Sequence, residues 1–218
     1  MEAHLEERQP SALLFRLGRE PDPWQPPDWS NANLDGTFGN RFDDPKGYYR
    51  VLYAASQELS CFVETLARFR PDPVLLAELG EIQGENDFFP LGAVPAEWCD
   101  GRVLGAASAT GNYAEIYSVQ WVEFLRRSLA SECLRLGIKD LDVSTLQAGS
   151  PRHLTQLASR KVYEKGLSGI YYRSRYGQDL ENWAIFEPFP IQPKSVKPIT
   201  RDHPILLEAL HVLGLRLA

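Results

Sequence analysis

From Pro21 to Gly47 the chain reads PDPWQPPDWSNANLDGTFGNRFDDPKG, a run too dense in Pro, Gly, Asn and Asp to hold a helix or a strand. Ordered connections of that length are functional as a rule, and Trp24 and Trp29 favour packing over disorder. The domain must therefore be assembled from segments on either side of a long loop. At 44% apolar residues over 218 positions, those segments suffice for a core.

Before the loop, SALLFRLGRE reads as a short strand, with Leu13, Leu14, Phe15 and Leu17 around Arg16. After it, Tyr49 to Ala54 is a strand, and Ser56 is placed to cap the helix that follows. In that helix Leu59, Phe62, Val63 and Leu66 recur at i, i+3, i+4 and i+7, and the pattern ends near Arg70-Pro71. Further strands are expected at 76–82, 102–107, 140–145, 169–173 and 182–186, the last two joined by a turn containing Gly177. A helix from about Ser118 to Leu136 stops at Gly137, and Ser150-Pro151 opens another. Pro188, Pro190, Pro193 and Pro198 break the chain before a helix from about Pro204 to Leu213. Strands and helices mix without a βαβ rhythm, which predicts an α+β fold in a single domain over 1–218. No GxGxxG opens a helix, and GTFGN lacks the Lys-Ser/Thr of a phosphate loop.

Several function classes are excluded on composition. A net charge of −6 disfavours a nucleic-acid surface; the densest basic patch, Arg152, Arg160, Lys161, Lys165, Arg173 and Arg175, suits a local anion site better than a duplex. Cys61, Cys99 and Cys133 lack CxxC spacing, and the four histidines lack ligand spacing, so neither a disulfide framework nor a metal is expected. No apolar run reaches the roughly 18 residues of a membrane span, and MEAHLEERQP has no apolar core of a secretory signal. The expected location is cytoplasmic.

Four polar residues stand out in or beside apolar segments: Arg41, Tyr53, Glu64 and Ser174. A guanidinium, an aromatic ring, a carboxylate and a hydroxyl together suit a phosphate, a flat heterocycle and a sugar, the parts of a dinucleotide. Each also has an ordinary reading. Glu64 lies opposite the apolar stripe of its helix and reads as solvated; Arg41 reads as a loop arginine beside Asp43 and Asp44. Tyr53 suits the core, and Ser174 suits a turn cap.

The order F-R-L-G-R (Phe15 to Arg19), G-N-R-F-D-D-P-x-G (Gly39 to Gly47), V-L-Y-A-A with a glutamate eleven residues after Tyr53, G-I-Y-Y-R-S-R and W-A-I-F resembles the RES domain family. The resemblance covers roughly residues 12–188, most specifically 41–66 and 156–187, leaving a Pro-rich tail and helix at 189–218. It implies a fold like that of ADP-ribosyltransferases, with a mixed sheet and flanking helices. It also implies an enzyme that takes NAD as substrate, with no cofactor, acting as a glycohydrolase, phosphorylase or ADP-ribosyltransferase, and a toxin neutralised by an Xre-type helix-turn-helix antitoxin. The family's Arg, Tyr, Glu and Ser fall on Arg41, Tyr53, Glu64 and Ser174. Arg41, Tyr53 and Glu64 are then the catalytic set, and Arg41, Tyr53 and Ser174 contact the substrate. The loop departs from the commoner RWNPPG: Asp43 replaces a neutral Asn, and two extra residues separate Arg41 from Tyr53. A silent nucleotide-binding module using the same cleft is the alternative. A third reading makes the tail helix, with Ile205, Leu206, Leu210 and Leu213, a surface for an antitoxin or a second copy, although such a helix more often packs on its own domain.

Overall fold

A computed structural model describes residues 4–74, 77–78 and 92–218. In chain order the elements are β1 (Glu7–Arg8), β2 (Leu14–Arg19), β3 (Val51–Ala55), α1 (Glu58–Leu66), β4 (Ala93–Val94), β5 (Arg102–Ala109), β6 (Tyr113–Glu115), α2 (Val119–Ser128), α3 (Ala130–Arg135), α4 (Val143–Ala148), α5 (Arg152–Glu164), β7 (Gly169–Ser174), β8 (Gly177–Phe186), β9 (Ile191–Pro198), α6 (Pro204–Leu213) and β10 (Arg216–Leu217). Among the described residues eight strands form one mixed sheet in the order β1-β6-β7-β8-β3-β2-β5-β9, while β10 and β4 pair separately. Only β6 and β7 run parallel in the large sheet; its other neighbours are antiparallel. With helices flanking the sheet, this is the α+β architecture expected.

The centre of the sheet explains why β3 reads as an almost unbroken apolar run. It lies between β8 and β2, with both faces covered, so Val51 and Leu52 are both buried although they point opposite ways. Val51 joins a cluster with Phe42, Tyr49, Ile170, Ala184 and Phe186, onto which Trp121, Leu125 and Leu154 pack from α2 and α5. Leu52 joins a second cluster with Leu14, Tyr171, Trp183 and Ile185. A third contains Phe62, Val63 and Leu66 of α1 with Leu206, Ala209 and Leu210 of α6. The tail helix therefore packs on its own domain.

Local chemistry moves several expected boundaries. Ser56 does not cap α1: Gln57 holds that position, and the Ser56 hydroxyl accepts the indole N–H of Trp183 at 2.9 Å, a donor that needs a partner once buried. The long helix after Ser118 splits at Leu129, where the Ser128 hydroxyl donates back to the Phe124 carbonyl at 2.7 Å and competes with the helical ladder. The strand expected at 140–145 is replaced by α4, because the Asp142 carboxylate accepts the Thr145 N–H at 2.8 Å and caps a helix. Gly177 opens β8 opposite Ser174 instead of lying in the turn. Pro193 and Pro198 do not end regular structure: they sit in β9, an edge strand, where a missing N–H costs no ladder bond. A register shift in β9, between Ser195 opposite Ala106 and Pro193 opposite Ala107, leaves Lys194 as an extra residue. The strand expected at 76–82 falls outside the described residues, save Ala77 and Glu78, which are helical.

Two outcomes test these assignments. Leu206 is fully buried between α6 and α1, so Leu206→Ala is expected to cost about 2–5 kcal/mol in a urea titration; an unchanged midpoint would make the tail helix dispensable. Donors from Ser144 and Thr145 hold the Asp142 carboxyl at about 2. A depressed carboxyl lends stability above its unfolded value, near 4, and loses it as pH falls through its folded one. The melting-temperature deficit of Asp142→Ala is therefore expected to be full at neutral pH and to close progressively as pH falls from about 4.

Candidate active site

The period of two along the central strands sets one wall of the site. Tyr172 is paired with Asn182 across β7 and β8, and Ala55 with Asn182 across β3 and β8. Tyr53, Tyr172, Ser174 and Asn182 consequently face the same side of the sheet. Helix α1 leaves β3 directly and sets Glu64 on that side. Its carboxylate Oε1 accepts two hydrogen bonds, from the Ser174 hydroxyl at 2.7 Å and from Asn182 Nδ2 at 2.9 Å. Each donor is anchored in turn: the Tyr176 N–H donates to Ser174 Oγ at 3.0 Å, and the Ser60 hydroxyl donates to Asn182 Oδ1 at 2.8 Å. Ser60, Ser174 and Asn182 are all buried.

Arg41 comes from the long loop, which is pinned on both sides of it. Thr155 on α5 donates to the Arg41 carbonyl at 2.7 Å, and Phe42 is buried completely in the core. The Phe42 N–H donates to the Tyr53 hydroxyl at 2.9 Å, and that hydroxyl donates to Asp43 Oδ1 at 2.9 Å. Asp43 Oδ2 also accepts the Asn40 N–H at 2.7 Å. Asp43, the departure from the commoner loop, is thus a buried internal brace that holds Tyr53; burial pushes its carboxyl up, against the Asn40 and Tyr53 donors. Burial, then the neighbouring Asp43 charge, raises the Tyr53 phenol far above its ordinary value, so it stays protonated and able to donate. The Arg41 guanidinium lies 5.8 Å from the Tyr172 ring centre and 6.0 Å from that of Phe42. On its other flank is Gly149, at φ +64°, where a Cβ would stand 2.9 Å from Arg41 Nε.

Arg41, Tyr53 and Glu64 line one cleft of about 730 Å³, a size that suits a small-molecule ligand. Five arginines line it, Arg16, Arg41, Arg68, Arg152 and Arg175, and Glu64 is the one carboxylate among the described lining residues. Arg16 is held by its own donors, Nε to the Pro23 carbonyl and Nη1 to the Tyr53 carbonyl, both at 2.7 Å, and burial lowers its pKa. Both Arg41 and Glu64 act on the same two tyrosines. Burial pushes Tyr117 up to about 12, with Arg41 pulling down and Glu64 pushing up; burial and then Glu64 raise Tyr172, with Arg41 opposing.

Ser174 differs from its expected place. It is fully buried behind Glu64, outside the residues that line the cleft, and its one proton is committed to the carboxylate. Asn182 and Ser60 are members of the site that sequence reasoning missed; the available signal was a polar residue at the head of the buried run WAIF and a serine one helical turn before Glu64. The basic patch divides. Arg152 and Arg175 reach the cleft, whereas Arg160 pairs with Asp44 and Glu164, Lys161 with Glu164, and Arg173 donates to the Gln178 carbonyl. Tyr49 and Trp183 are core residues and Tyr48 is exposed. Among the described residues no group of three or more His, Cys, Asp or Glu is disposed to hold a metal ion, and no helix is long and apolar enough to cross a membrane.

No family model matches the chain, and no curated protein matches it. Among solved structures, a chain of the M. tuberculosis MbcT–MbcA toxin–antitoxin complex is similar in fold, with a TM-score of 0.54 and 12% identity over 95% of this chain and 92% of that one.

The close approach of Gly149 to Arg41 is testable. Gly149→Ala forces an L side chain into the left-handed region and into the guanidinium, and is expected to destabilise the fold by about 1–2 kcal/mol. Denaturant titration at the wild-type value would mean that this approach is looser than described.

Proposed function

We propose that this chain is an NAD-consuming enzyme that breaks the bond between nicotinamide and ribose, and that it acts as a toxin of the RES type. The observation that carries the reading is Glu64, the one carboxylate among the described lining residues, braced by two donors in a cleft that five arginines also line. Cleavage of that bond passes through an oxocarbenium-like cation. A fixed anion near the ribose stabilises such a cation more than the ground state, which lowers the barrier. Arg41 and Arg152, which line the cleft from the long loop and the start of α5, suit the diphosphate, where a guanidinium fork matches paired oxygens. Tyr53 lines the same space, and its ring suits the nicotinamide, whose positive charge in NAD favours an aromatic face. Nicotinamide leaves as a neutral molecule, and Glu64 activates the acceptor as a general base. The acceptor is water, phosphate or a protein side chain.

The toxin role draws on two supports: the ordered sequence resemblance to the RES family and the likeness in fold to a chain of a toxin–antitoxin complex. On this reading an Xre-type helix-turn-helix antitoxin restrains the enzyme.

Incubation with NAD, followed by mass analysis, is expected to yield nicotinamide together with ADP-ribose, its 1-phosphate or a modified protein. Glu64→Gln, nearly isosteric, is expected to lower turnover by at least about 100-fold with the fold intact by circular dichroism. Intact NAD that nevertheless binds would replace the enzyme with a binding module, and full turnover in Glu64→Gln would remove the carboxylate from the chemistry.

A further inference from the structure

We propose that Ser60 and Asn182 form a positioning relay that fixes Glu64 and leaves it a single working oxygen, an inference that rests on Glu64 acting as described above. The direction of every hydrogen bond in the relay follows from its end point. An ionised carboxylate only accepts, so the part of the Asn182 amide that meets Oε1 is the NH₂ group. The amide oxygen is then turned the other way, and it meets Ser60, whose hydroxyl must donate. Ser60 and Glu64 lie one turn apart on α1, so Asn182, reaching from β8, spans two successive turns of the same helical face. Ser60 is 0% and Asn182 2% exposed, so water does not compete for either group.

The second donor ends on the same atom. Ser174 gives its proton to Oε1 and has its oxygen occupied by the Tyr176 N–H. With two donors on Oε1, and none from a described residue on Oε2, the carboxylate that lines the cleft presents its charge through Oε2. Glu64 accordingly engages a ribose hydroxyl or the acceptor through Oε2, and does not clamp a diol with both oxygens. Asn182 also lines the cleft, and the N–H that meets Oε1 is spent on Glu64. Its contribution is the aim of Glu64, which matters at the transition state more than in substrate binding.

Nicotinamide release from NAD, followed across pH for wild type, Ser60→Ala, Asn182→Ala and Asn182→Asp alongside their melting temperatures, tests the relay. Asn182→Ala is expected to lower kcat about 10- to 100-fold with KM changed less than about 3-fold. Ser60→Ala, which removes one hydroxyl and frees the amide to turn, is expected to lower kcat in the same sense by about 3- to 10-fold. Asn182→Asp sets a second carboxylate against Oε1, and like charges resist joint ionisation, so the acid limb of its rate profile moves to higher pH. Wild-type kcat in both alanine variants, or a loss borne by KM alone, overturns the relay while leaving the NAD reading in place. A wild-type protein that releases no nicotinamide overturns that reading and the relay's role together. Should Asn182→Ala fail to fold, Ser60→Ala decides on the same criteria.

Discussion

A carboxylate laid against an apolar sheet is tolerable only where donors meet it, and in this protein two donors from adjacent strands meet one oxygen of Glu64. That need joins α1 to β7 and β8 at the level where the cleft begins. The same helix turns Phe62, Val63 and Leu66 the other way, into the cluster shared with α6. One short helix thus serves as a wall of the core on one side and as the bearer of the site's only described carboxylate on the other. Its position relative to the sheet is set by both.

The second constraint is electrostatic. Five arginines against one carboxylate among the described lining residues give the cleft a positive field, although the chain as a whole carries −6. Some of this charge is immobilised: Arg16 is tied to two carbonyl oxygens, and Arg152 Nη1 holds the Gly39 carbonyl at 2.9 Å. Arg41 is framed by two aromatic rings and a glycine. Side chains held in this way lose little freedom when an anion arrives, which favours binding.

Much of the central sheet was legible because period and burial agree there: β2, β3, β5, β7 and β8 all arise from runs that read as strands. Where a polar side chain decided the outcome, the reading failed. Asp142 converted an apolar alternation into a capped helix, and Ser128 divided a stripe that is continuous in sequence. The prolines of β9 look like breakers until an edge is available to receive them. For the site, helical periodicity alone argues that Glu64 is solvated; ordered motifs bring out Arg41, Tyr53, Glu64 and Ser174 together. Ser60 and Asn182 have no such mark, since a buried serine or asparagine is recognisable only once its partner across the fold is known. Asp43 likewise reads as a charge replacing a neutral Asn of the commoner loop and is in fact a brace beneath the loop.

The border of the sheet at β9 has a consequence beyond its own pairing. Two prolines deny the outer rim some of its donors, Lys194 and Lys197 put charge along it, and the supernumerary residue at Lys194 bends it out of line. At the opposite border β1 offers only two residues. Neither margin of the large sheet is therefore a good template for an incoming strand, which works against edge-to-edge pairing there.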